Sequence, residues 1–106
     1  MEIELRTAVD KDWKVAWPIK RNALDELVRQ TYGGWTESAE EEAARDWDPA
    51  AVRMIIFQGD AVGWVQVNKY STHDWLELLV VDPSVQGHGL GTQVLSVLLD
   101  EASQRD

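Results

Sequence analysis

Along the first nine residues apolar positions alternate with charged ones, Ile3, Leu5, Thr7 and Val9 against Glu4 and Arg6. A period of two predicts a strand with one buried face. The period then becomes helical. Val15, Ile19, Ala23, Leu24, Leu27 and Val28 share a stripe, with Asp10 or Asp12 as N-cap and Gly33-Gly34 as the stop. Pro18 lies inside this run and, lacking an amide hydrogen, is expected to kink or divide the helix. Thr36 should cap a second helix, very acidic at Glu37, Glu40, Glu41 and Glu42, that stops at Asp48-Pro49. Its acidic start suits the helix dipole. Val52 to Gln58 and Ala61 to Val67 then form a hairpin about a Gly59-Asp60 turn, and a polar loop, Asn68 to Asp74, follows.

From Leu76 to Val81 the chain is apolar apart from Glu77, with bulky groups on both faces, as in a strand buried on both sides. Pro83 cannot continue a ladder, so pairing should stop at about Asp82. Gln86-Gly87-His88-Gly89-Leu90-Gly91 follows, and from Leu90 onward Leu90, Val94, Leu95, Val97, Leu98, Leu99 and Ala102 form a broad helical stripe opposite Gln93, Ser96, Asp100 and Glu101. The predicted order is β-α-α-β-β-β-α, an α/β chain (α+β, with a mixed sheet) without repeats, linker or low-complexity segment.

A helix that begins at glycines offers chemistry. Its first turn has unpaired amides and a partial positive charge, both of which favour an anion. Glycines remove the Cβ atoms that would hold a phosphate off the backbone and permit positive φ. The stretch is a candidate pyrophosphate cradle, or a helix start that uses glycine only for its turn. A Walker loop is excluded, because Gly91 is followed by Thr92 and Gln93 and no lysine follows Lys69. A dinucleotide fingerprint matches poorly: four residues stand between strand and glycines, the third interval is one residue short, and the second strand that should carry an acidic residue about twenty positions on does not fit before Asp106.

Val81-Asp82-Pro83 followed by Gln86-Gly87-His88-Gly89-Leu90-Gly91 resembles the signature of the GNAT superfamily of acetyl-CoA-dependent N-acetyltransferases: an apolar strand ending in Val-x-Pro, then Gln/Arg-Gly-x-Gly-x-Gly/Ala opening a helix. The resemblance implies a GNAT-like acyltransferase fold over residues 1–106 as one domain. A family domain normally continues into a further strand, helix and hairpin, so residues 1–106 correspond to its N-terminal portion. The bottom-up expectation is that Leu76 to Val81 is left at a sheet edge, a pairing template, and that the chain is a truncated piece or a homodimer that completes itself there.

Composition narrows this further. With 44% apolar and 27% charged residues the chain is globular rather than disordered. It has no apolar run near the roughly 20 residues a membrane span needs, and Met1-Glu2-Ile3-Glu4 is no signal segment, so the expected location is the cytoplasm. No cysteine is present to form a disulfide, a thiolate metal site or a nucleophile, and no metal is expected. The net charge of -9 disfavours nucleic acid and would attract a cationic amine.

By the resemblance, an acceptor amine, small or on a protein, attacks the thioester of acetyl-CoA without a covalent enzyme intermediate. The backbone of Gln86, Gly87, His88, Gly89, Leu90 and Gly91, with the Thr92 hydroxyl, should hold the pyrophosphate. Leu79, Val80 and Val81 should pair with the pantetheine arm, and an amide there should stabilise the oxyanion. A lysine-like amine of pKa near 10.4 is about three units uphill at neutral pH, roughly 4 kcal/mol, so a general base would help. Glu77 is the only carboxylate in that strand and by alternation shares the face of Leu79 and Val81; its bland alternative is a solvated glutamate. Trp35 and His73 are the candidate substrate contacts, while Trp64 and Trp75 are expected to pack in the core or across strands. Neither Tyr32 nor Tyr70 matches the family's acid. The other readings are a non-catalytic CoA-binding or dimerisation module and, third, a different nucleotide-dependent enzyme.

Overall fold

The computed structural model describes residues 3–105. Its elements are β1 (Ile3–Thr7), a 3-10 turn (Asp10–Asp12), α1 (Trp13–Tyr32), α2 (Ala39–Arg45), a 3-10 turn (Pro49–Ala51), β2 (Val52–Phe57), β3 (Asp60–Lys69), β4 (Asp74–Val81), a 3-10 turn (Pro83–Val85) and α3 (Leu90–Arg105). The expected order of strands and helices is therefore present. The strands form one sheet in the order β1-β2-β3-β4, with all three pairings antiparallel.

Each face of the sheet carries its own core. On one face Ala16 and Ile19 of α1 pack on Val52, Met54, Trp64 and Val80. On the other, Leu90 and Val94 of α3 pack on Ile55, Phe57 and Val65. Arg53 of β2 fastens the far end of α3 through a two-pronged ion pair with Glu101, at 3.0 and 2.9 Å. Its hydrogen bonds hold the Glu101 carboxyl below the usual carboxylate range.

Several local expectations change. Pro18 does not divide α1, which runs unbroken over 20 residues; burying Ala16, Trp17 and Ile19 outweighs the one amide bond lost. Thr36 is not a cap. Its carbonyl accepts from Ala39 N at 3.2 Å in a turn, so α2 starts three residues later and ends at Arg45, while Asp48 instead caps the next 3-10 turn. The β2–β3 turn is Gln58-Gly59, whose φ of 54° and 86° are both left-handed, as a two-residue hairpin turn of matching twist requires. Asp60 already belongs to β3.

Five of the six tryptophans form one chain of ring contacts: Trp35 to Trp17 (5.6 Å), Trp17 to Trp13 (5.8 Å), Trp13 to Trp47 (5.2 Å) and Trp47 to Trp64 (5.5 Å). It ties the α1–α2 loop, α1 and the α2–β2 connection to the sheet. Trp64 also donates through Nε1 to the Ala16 carbonyl at 2.9 Å, which satisfies its only polar atom in the core.

Two bulges interrupt the ladder. Ile55 pairs with Gly63 but Ile56 with Ala61, leaving Val62 as an extra residue in β3. Gln66 pairs with Leu78 but Val67 with Leu76, leaving Glu77 as an extra residue in β4. Above the second bulge β3 and β4 approach closely at Gly63. A Cβ there would overlap the Val80 carbonyl oxygen and stand 3.1 Å from Val81 Cα and 3.2 Å from Ile55 Cδ1. Gly63→Ala should therefore destabilise the fold by about 1–3 kcal/mol, lowering the melting midpoint by at least about 5 °C. A calorimetric melt checks this.

Candidate functional site

The site begins where β4 ends. Asp82 N still donates to Val62 O at 2.7 Å, and the Asp82 carboxylate accepts from Ser84 N at 2.9 Å, so Asp82 both closes the ladder and caps the 3-10 turn. Gln86 then reaches back, donating from Nε2 to the Val81 carbonyl at 3.1 Å. Two left-handed residues, Gly87 (φ 92°) and Gly89 (φ 73°), swing the chain into α3. The space where a Cβ would stand is empty at both, so backbone conformation, not crowding, requires glycine there. The helical bonding begins with Gln93 N donating to Gly89 O at 3.1 Å, which places the amides of Leu90, Gly91 and Thr92 in the open first turn.

The side chains of this turn divide by role. Leu90 is buried and offers the site only its backbone, whereas Gln86, His88 and Thr92 are exposed. His88 Nδ1 lies 2.9 Å from the Val85 carbonyl, which can only accept, so the imidazole donates there. Gly91 differs from the other two glycines, since a Cβ there would make ordinary contact with Leu79 Cδ2 at 4.0 Å.

Strand β4 has β3 on one side and, among the described residues, no strand on the other. Because Asp82 N faces β3, strand alternation turns Val80 toward β3 and Leu79 and Val81 toward the open edge. This corrects the expectation for Val80, whose amide and carbonyl belong to the ladder. The Val81 carbonyl is already taken by Gln86. Leu79 is left presenting both backbone groups outward.

The bulge also corrects Glu77. By simple alternation it would share the face of Leu79 and Val81, against α3. As the extra residue it turns to the α1 face, where it accepts from Asn68 Nδ2 at 3.3 Å. Leu76 takes the α3 face instead, opposite Val67, and remains 42% exposed, so β4 is not buried on both sides within the described chain. Asn68 was expected in a loop; it lies in β3, and only the register reveals its contact.

The remaining candidates are scattered. His73 sits in the β3–β4 turn, stacked on Tyr70 at 5.0 Å with Nδ1 2.9 Å from the Thr72 hydroxyl. Trp35 is clamped to α1, donating to Asp25 at 2.8 Å with Arg21 5.7 Å above its ring, which makes it a fastener of the α1–α2 loop. Trp64 is core, but Trp75 is not: it is 57% exposed and in neither core cluster. A groove of about 640 Å³ opens between Leu76 and the distal half of α3, at the end of the sheet away from the glycine turn. Among the described residues no group of three or more His, Cys, Asp or Glu could hold a metal ion.

The acetyltransferase (GNAT) family profile matches residues 20–106. The chain belongs to this family of acyltransferases. Among curated proteins none matches at significance. Solved structures with the same fold include the ribosomal-protein-S18-alanine N-acetyltransferase of Escherichia coli, with 20% identity and a TM-score of 0.71 over 98% of this chain. They also include the PaiA N-acetyltransferase of Thermoplasma acidophilum in complex with coenzyme A, with 12% identity and a TM-score of 0.74 over 99% of this chain. The chain spans 61% of the length of the first and 74% of the second. This GNAT chain thus shares its fold with a coenzyme A complex at far from identical sequence.

The two kinds of glycine should separate on substitution. Gly89→Ala forces a side chain into a left-handed conformation at a cost of about 1–2 kcal/mol, whereas Gly91→Ala sits in a helix with room for its methyl and should be neutral or stabilising by up to about 1 kcal/mol. Paired thermal melts measure the difference.

Proposed function

We propose that this chain transfers an acetyl group from acetyl-CoA to a primary amine by direct attack. One observation carries the reading: the glycine turn that opens α3 lies next to a strand edge that, among the described residues, no further strand covers, with the Leu79 backbone facing outward. A phosphate-holding helix start and a strand edge that can bond an amide-rich arm are what a coenzyme A thioester requires.

The chain's own groups then have assignable work. The amides of Gly87 to Thr92 bind the pyrophosphate, aided by the helix dipole, and the fixed backbone of Gly87 and Gly89 supplies the concave shape. Leu79 bonds the pantetheine arm as a neighbouring strand would. The acetyl group comes as a thioester, which offers an activated carbonyl and a thiolate leaving group. As the amine nitrogen bonds to that carbonyl carbon, negative charge develops on its oxygen, and an amide donor on the β4 edge can stabilise it. The carbon–sulfur bond then breaks and the thiolate takes up a proton.

The acceptor must shed a proton, and Glu77 is the carboxylate placed to receive it, directly or through one water. Asn68 restrains one carboxylate oxygen and leaves the other free. Because Glu77 stands on the α1 face while the arm follows the strand edge, the amine approaches from the α1 side. The coenzyme A complex of the Thermoplasma protein and the S18-alanine activity named for the Escherichia coli one are consistent with this chemistry at an amine.

The test is thiol release from acetyl-CoA across a panel of primary amines. Release should depend on the amine, and Glu77→Gln should lower kcat about 100-fold or more while leaving the KM for acetyl-CoA nearly unchanged. Full turnover in the variant would remove Glu77 as the base.

A further inference from the structure

Trp75 is the tryptophan outside the ring chain. It is 57% exposed, and among the described residues no ring contact or hydrogen bond engages its indole. It pairs with Asn68, so the two side chains share a face, and Asn68 bonds Glu77 across that face. The bulge thus sets Trp75, Asn68 and Glu77 side by side on the α1 face of an open edge strand. Without it, Trp75 and Glu77 would both turn to the opposite face and Asn68 would stand across from Leu76 instead.

We infer that Trp75 is a specificity residue for the acceptor, and that the acceptor is a diamine-type cation: a primary amine carrying a second positive charge a few bonds away. This rests on the acetyl-transfer reading for the reacting amine. Two residues of extended chain set the Cα atoms of Trp75 and Glu77 at most roughly 7 Å apart, a spacing on the scale of the nitrogen–nitrogen distance of a short diamine. One nitrogen reacts beside Glu77 while the other, still an ammonium, rests on the indole face.

An indole suits that role because its ring face attracts cations and it holds its shape with only two side-chain torsions. Charge favours the same occupant. The chain carries 19 acidic against 10 basic residues, and Glu77 is the charged group on this patch, so an anionic or neutral acceptor gains nothing there. A monoamine whose single nitrogen sits beside Glu77 lays only its alkyl chain on the ring and uses its surface but not its quadrupole, which is the difference a matched pair of substrates can read.

The experiment compares diaminobutane with n-butylamine on the 106-residue chain. Binding is followed on the indole N–H resonance of Trp75, assigned by its loss in Trp75→Phe, and turnover is followed by thiol release. Diaminobutane should shift that resonance saturably at concentrations about fivefold or more below those n-butylamine needs. The kcat/KM preference for diaminobutane over n-butylamine should collapse about 5- to 20-fold in Trp75→Leu and be largely kept in Trp75→Phe. Trp75 is outside both cores, so both variants should melt like the parent. A Trp75 resonance that ignores diaminobutane, or a preference that survives Trp75→Leu, overturns the inference even if acetyl transfer is observed. A saturable, diamine-selective shift without acetylation of any amine supports the cation site and overturns the acetyl-transfer reading instead.

Discussion

The register of β4 against β3 fixes what every other part of the site can do. One extra residue, Glu77, lies between Leu76 and Leu78, and it reverses the facing of the strand's lower half relative to its upper half. Above it Leu79 and Val81 face α3 with their amides at the open edge. Below it Trp75 and Asn68 face α1. A carboxylate that alternation would have pointed at α3 is thereby turned to the α1 face, beside Asn68. Gly63 is the local condition for this arrangement, because only a residue without Cβ lets β3 lie so close to the Val80 carbonyl.

The tryptophan chain plays the corresponding part on the α1 side. Trp64 anchors it in the sheet, Trp13 and Trp17 carry it along α1, and Trp35 brings in the loop before α2. Stacked and edge-on ring pairs contribute about 0.5–1.5 kcal/mol each beyond the area they bury. Their main effect is geometric: a rigid wall beside the face that Glu77 occupies, with Trp35 held by Asp25 rather than free to meet a substrate.

Much of this was legible in the residues. The glycine turn could be read because its requirements are local: Val81-Asp82-Pro83 must end a ladder, and Gly87 and Gly89 must take positive φ, whatever the rest of the chain does. The order of elements followed from periods of two and 3.6. What could not be read was anything set by pairing. Nothing in Leu76-Glu77-Leu78 announces a bulge, so the face of Glu77, the contact with Asn68 and the inward amide of Val80 came out only with the register. Pro18 and Thr36 misled for a related reason, since burial of Ala16, Trp17 and Ile19 overrode a local helix breaker and a backbone turn at Thr36 delayed α2. Trp75 was expected in the core or packed across strands, and its solvent exposure set it apart from the core.

Whether the glycine turn and the β4 edge together hold a coenzyme A thioester is answered most directly by a thermal melt of the 106-residue chain with and without saturating acetyl-CoA, with NAD as control. Ligand at about 100 times its dissociation constant adds roughly 2.7 kcal/mol, and about 1 kcal/mol moves the midpoint of a domain this size by some 4–8 °C. A rise of about 10 °C or more with acetyl-CoA, and none with NAD, is the predicted result. An unchanged midpoint with acetyl-CoA, or an equal rise with NAD, would contradict it.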